Sequence, residues 1–200
     1  IRSKGKQMKS GLSPAILTEI SEGRSILFLG AGSSYGCKDL TGTKRALLGK
    51  ELGQALSNRF LGGARMDQPL AKIASLSVTE AGLLAVQHYV CSIYADIMPH
   101  DYHSIITRFR WKAIITTNYD QVIEKAYAAN RERLQNPIPV IRNGDLSRAL
   151  DDPRAVPIIK LHGCISQSGD TALPLILSKE QYSQYQKGRE RLALSLSDWA

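Results

Sequence analysis

A chain of 200 residues is long enough for one domain with a full-sized core, and its 43% hydrophobic and 22% charged residues are ordinary globular proportions. No apolar run reaches membrane-spanning length, and the three cysteines, Cys37, Cys91 and Cys164, are too few and too scattered for a disulfide framework or a zinc ribbon. The net charge of +8 admits an acidic partner, either a phosphate-rich small molecule or nucleic acid, but part of it lies in Arg2, Lys4, Lys6 and Lys9.

Residues 1–11 read as a basic, disordered arm. No signal-peptide core follows it, so cytoplasmic residence is expected. Ser13-Pro14 opens a helix that Gly23 stops. Ser25 to Leu29 reads as a first buried strand, running into Gly30-Ala31-Gly32-Ser33-Ser34. The pattern then predicts a helix over 43–60, a short apolar stretch over 70–76, and a helix over 80–98 that Thr79 caps. His88, beside the apolar stripe of that helix, reads as structural or exposed. His100 and His103 flank a loop, as caps or in solvent, with no cluster around them to complete a metal site. A short helix over 103–109 precedes a second buried strand, 111–116, and a helix from Asp120 to about Asn130. Short strands at 139–141 and 157–161 enclose a helical turn at 146–150. Leu175 to Leu177 suggests one more strand. Ser178 then caps a helix that carries Tyr182 and Tyr185 and continues through Leu192, Leu194 and Leu196. Strands alternating with helices predict an α/β fold: a Rossmann-like parallel sheet flanked by helices, with a helical insertion between the first and second strands.

Three strands end in polar tips. Gly30 to Ser34 supplies glycines that let backbone approach a ligand closely, N–H groups suited to a pyrophosphate, and two hydroxyls. Thr117-Asn118-Tyr119-Asp120 supplies a carboxamide and a carboxylate, and His162-Gly163 an imidazole. In a parallel sheet these tips share the carboxyl edge, where ligands bind. Each has a plainer reading on its own: a tight turn, a helix cap at Asp120, a hydrogen-bonded strand-end histidine. No Gly-Lys-Ser or Gly-Lys-Thr occurs, which argues against a P-loop NTPase. Together the tips read as a dinucleotide site. An imidazole can take a proton near neutral pH, which makes His162 its candidate general base and Asn118 its orienting group.

At these residues the chain resembles the sirtuin superfamily. Gly30-Ala31-Gly32-Ser33-Ser34 is similar to the family's Gly-Ala-Gly-x-Ser loop. Thr117-Asn118-Tyr119-Asp120 is similar to its Thr-Gln-Asn-Ile-Asp, and Leu161-His162-Gly163 to its His-Gly. The likeness is closer to bacterial sirtuin-like domains of antiphage defence proteins, which carry Thr-Asn-Tyr-Asp and a following Ser/Thr-x-x-x-Tyr helix, here Ser178 to Tyr182. It spans about Ile16 to Tyr185. Deacylating sirtuins carry a zinc-binding cysteine quartet and a Gly-x-Pro-Asp-Phe-Arg loop, and this chain has neither.

The resemblance implies an NAD+ hydrolase that releases nicotinamide and ADP-ribose, depleting NAD in abortive infection. Asn118 and His162 would be catalytic. Gly30, Ala31, Gly32, Ser33, Ser34, Thr117, Asn118, Asp120 and His162 would bind NAD, which is substrate, and no zinc is expected. The expected partners are a second copy or a defence partner (an ATPase, a sensor or an Argonaute-like protein) and a phage-derived trigger. No membrane is expected, and nucleic acid only through a partner. Residues 12–200 would be the catalytic domain, incomplete at its C-terminus and part of a longer chain. The alternatives are an NAD- or ADP-ribose-binding regulatory module and an NAD-dependent protein deacylase.

Overall fold

The computed structural model describes residues 13–184 and residue 197. The expected basic arm over 1–11, and the expected continuation of the last helix through Leu192, Leu194 and Leu196, lie outside the described residues.

Helix α1 (Pro14–Ser21) starts as its sequence dictates, with the Ser13 side chain accepting from Ile16 N and proline in the first turn. Strand β1 (Ile26–Leu29) then leads into a 3-10 turn over Ala31–Ser34. The insertion follows as α2 (Gly49–Phe60), α3 (Leu70–Ala81), α4 (Leu83–Tyr94) and the single turn α5 (His103–Ile106). Strand β2 (Ala113–Thr116), α6 (Val122–Ala129), β3 (Asn136–Val140), α7 (Asn143–Asp151), β4 (Ala155–Lys160), a 3-10 turn over Ile165–Gln167 and α8 (Lys179–Ser183) follow.

The four strands form one parallel sheet in the order β1-β2-β4-β3. Helices cover both faces. Ile114, Val156 and Ile158 pack against Ile123 and Tyr127 of α6, while Ala113, Val140 and Ile159 pack against Leu146 and Ala149 of α7. A larger cluster, with Leu52, Leu56, Ile73, Val86 and Val90 at its centre, joins the insertion to Cys164, Leu175 and Leu177 beyond β4. The expected α/β fold is therefore what the chain forms, with the helical insertion in its expected place.

Several expected elements take different bounds. The helix expected from residue 43 begins at Gly49, because Asp39 captures the chain before it. Its carboxylate accepts from the Thr41 and Thr43 hydroxyls and from Lys44 N, fixing a loop closed by a Lys38–Arg45 bridge. The short apolar stretch at 70–76 is the first half of a full helix, α3. Gly82, with φ 83°, separates α3 from α4, so Thr79 lies within α3 rather than capping α4. Leu175 to Leu177 is buried but forms no strand, since Gln87 Oε1 accepts from Leu175 N and the His162 carbonyl accepts from Ile176 N. The first strand is less buried than expected: β1 is an edge strand with Phe28 61% exposed.

Candidate functional site

Strand register sets the level of the site. Leu29 pairs with Thr116, and Thr116 pairs with Lys160. The chain then leaves three adjacent strands at one height, and Gly30, Thr117 and Leu161 begin three neighbouring turns. Two further bonds keep the exits together, from Thr117 N to Leu29 O (3.3 Å) and from Leu161 N to Thr116 O (2.9 Å). These turns carry Ala31, Ser34, Thr117, Asn118, Asp120 and His162 to one cavity of about 190 Å³. The insertion supplies its apolar wall through Leu47, Leu52, Leu70 and Tyr94. Ligand pockets usually run to ~300–1,000 Å³, so this one has room for only part of a ligand as large as a dinucleotide.

Asn118 lies at the centre of a buried hydrogen-bond network. Its Nδ2 donates to Ser33 Oγ (3.1 Å) and to Ser34 Oγ (3.0 Å). Proton accounting fixes the carboxamide's orientation. Ser33 spends its one hydroxyl proton on the Gly30 carbonyl, and Ser34 spends its own on Asp120 Oδ2 at 2.7 Å. Both hydroxyls must therefore accept from Asn118, which leaves its Oδ1 as the acceptor for a ligand. Asp120 is 5% exposed and uses both oxygens, since Oδ1 accepts from Val122 N at 3.0 Å. It thus tethers the first turn of α6 and holds the glycine-rich turn at the same time. Ser33 and Ser34, expected as ligand donors, spend their protons inside the protein. Both hydroxyls accept from Asn118.

The glycines of that turn are open. Gly30 has φ −107°, and Gly32 is not among the positive-φ residues, so neither backbone demands glycine. A Cβ on either would meet no protein atom within 4 Å. Nothing inside the protein requires a bare backbone there, so the turn is open to close approach by a ligand. Behind the turn stands a residue that sequence reasoning placed at a cap or in solvent. His103 is fully buried, its Nδ1 accepting from His100 N (3.1 Å) and its Nε2–H donating to the Ser33 carbonyl (2.8 Å). The Tyr102 hydroxyl donates to the same carbonyl at 2.8 Å. Its ring stacks on that of His103, with centroids 4.2 Å apart.

His162 is half-buried between two aromatic rings, Tyr119 at 6.1 Å and Tyr182 of α8 at 5.3 Å. The turn beneath it needs glycine for two reasons. Gly163 has φ 84°, and a Cβ there would press on Leu175 Cδ2 at 3.2 Å. Ser178 and Gln181 form a reciprocal capping box that starts α8 and so places Tyr182 at the cavity. Burial pushes the phenols of Tyr119 and Tyr94 well above the ordinary range, so both remain protonated donors, to the Ile176 and Leu47 carbonyls respectively. Among the described residues no cluster of three or more His, Cys, Asp or Glu side chains is placed to hold a metal ion, and no helix is long and apolar enough to cross a membrane.

Residues 112–198 match a family model described as SIR2-like domain. The matched stretch contains Asn118, Asp120 and His162, and the glycine-rich turn precedes it. Over that stretch the chain is similar to sirtuin-like domains, a likeness that points to NAD-related chemistry in the broad sense. No curated protein matches the chain.

Sequence reasoning missed His103, Tyr102 and the apolar wall of Leu47, Leu52, Leu70 and Tyr94. Periodicity identified buried helix faces but carried no sign that their edges reach the strand tips.

Proposed function

We propose that the domain hydrolyses NAD+ at the nicotinamide–ribose bond. The observation that carries this reading is the Asn118 carboxamide, its acceptor left over for a ligand, in one cavity with His162 and with Ala31 and Ser34 of the glycine-rich turn. The glycosidic C–N bond breaks, and its electron pair leaves with nicotinamide. Water adds to the oxocarbenium-like carbon, gives up one proton, and yields ADP-ribose. Asn118 Oδ1 accepts from a ribose hydroxyl or the incoming water, and His162 takes the proton. Asp120 contributes a buried negative charge and, through Ser34, the orientation of Asn118. Gly30, Ala31 and Gly32 offer the bare backbone for the phosphates.

The resemblance to antiphage sirtuin-like domains supports a role in depleting NAD during infection, in the cytoplasm. The activity would be switched by a second copy or a defence partner that senses a phage-derived trigger. No zinc enters the proposed chemistry.

Nicotinamide release from NAD+ tests the reading, with wild type, Asn118→Ala and His162→Ala side by side and candidate triggers added. Wild type releasing nicotinamide while both variants do not supports hydrolysis. NAD+ binding without release under every condition replaces it with a regulatory, ligand-binding module. Turnover only when an acyl-lysine peptide is present would indicate a deacylase.

A further inference from the structure

We infer that Lys160 is a positioning residue for Asn118 and Asp120, acting from beneath the cavity through the Asp120 carbonyl. This rests on the hydrolase reading above. Lys160 is the last residue of β4 and is 1% exposed. Its ammonium donates to the backbone carbonyl of Asp120, in the neighbouring strand's turn, and lies 3.0 Å from Glu124 Oε1 on α6. Neither Glu124 oxygen has a well-directed hydrogen bond among the described residues, so charge holds this pair. Burial pulls the Lys160 pKa down, but the negative charges of Glu124 and Asp120 outweigh it and hold it above the ordinary lysine value.

One side chain thus joins the two turns that bear the proposed chemistry. Its own strand delivers His162 two residues later. Its ammonium holds the carbonyl of Asp120, whose carboxylate fixes Ser34 and, through it, Asn118. Stability alone does not account for the pair, because a buried ion pair is often matched or exceeded by apolar residues of similar volume. An apolar side chain cannot donate to the Asp120 carbonyl, and that is the contribution assigned to the lysine.

The test compares wild type, Lys160→Met and the double variant Lys160→Met/Glu124→Leu by thermal unfolding, NAD+ kinetics and amide hydrogen exchange at Asn118 and Val122. Lys160→Met strands the Glu124 charge and loses stability. The double variant removes that charge and recovers part of the lost melting temperature, the Asp120 carbonyl still lacking its donor. In the double variant kcat stays at least about tenfold below wild type, as a small misplacement of reacting groups produces. KM changes by less than about threefold, because the lysine does not touch substrate. The Asn118 and Val122 amides exchange faster than in wild type. A double variant with wild-type kcat and wild-type exchange would overturn the inference and leave the pair a packing feature. If wild type releases no nicotinamide, the hydrolase reading falls by itself, and the exchange rates still decide whether Lys160 holds the turn.

Discussion

Ser34 and Asp120, 86 residues apart in the chain, share a buried hydrogen bond of 2.7 Å. It joins the glycine-rich turn of an edge strand to the polar turn of its neighbour, and it sets which end of the Asn118 carboxamide remains for a ligand.

Ser34→Ala tests that bond. The change strips Asp120 Oδ2 of its donor and Asn118 Nδ2 of one acceptor, so stability falls by about 1–3 kcal/mol. The turnover of NAD+ falls by about tenfold to a hundredfold, because the carboxamide is released from its single orientation. Denaturant unfolding and steady-state kinetics check the two parts. Unchanged turnover in a folded variant would show that Asn118 is oriented without Ser34.

Gly32→Ala separates ligand binding from folding. A Cβ meets no protein atom there and the backbone is not left-handed, so the melting temperature holds or rises slightly. NAD+ affinity, measured by calorimetry, drops at least about tenfold as the methyl enters the ligand's space. Full affinity in the alanine variant would place the phosphates elsewhere.

Gly163→Ala should behave in the opposite way. At φ 84° with Leu175 Cδ2 3.2 Å from the new methyl, it combines backbone strain with overpacking. A loss of about 2–4 kcal/mol is expected in urea unfolding. A loss below about 0.5 kcal/mol, the range of a neutral surface change, would contradict this account of the turn.

The start of α2 carries an acid sensitivity. Arg45 beside Glu51, with Leu48 N–H donating to the same carboxylate at 2.9 Å, lowers the Glu51 pKa to about 2. An unfolded glutamate titrates near ~4.3. Because the folded value is the lower, the stabilisation is complete above ~4.3 and is lost as pH falls through that value toward about 2. Between pH ~5 and ~3 the urea midpoint of wild type should fall more steeply than that of Glu51→Gln. Parallel curves would assign the acid response to other carboxylates.

The sheet and the three tips were legible because parallel strands announce themselves as apolar runs and end on a common edge. That rule puts the ends of β1, β2 and β4 side by side, and Ala31, Ser34, Thr117, Asn118, Asp120 and His162 do line one cavity. What stayed hidden depends on single side chains that override pattern. Asp39 ties up the segment expected to open α2, and Glu51 reaches back to Leu48 N to start the helix six residues later. Gln87 takes the amide of Leu175 and removes an expected strand. His103 looked like a loop histidine, and only the tertiary fold brings the Ser33 carbonyl to its ring.

The pairing of Leu29 with Thr116 and of Thr116 with Lys160 makes the site a matter of counting. Deleting or inserting one residue in β2 would displace its tip by ~3.3 Å and turn its side chains to the opposite face. Asn118 would then leave both serines, and the Asp120 carbonyl would leave Lys160. The insertion between β1 and β2 is under no such arithmetic, since its loops can lengthen while every rung of the ladder stays in place. A change of length there would reshape the apolar wall of the cavity and leave the three tips in register.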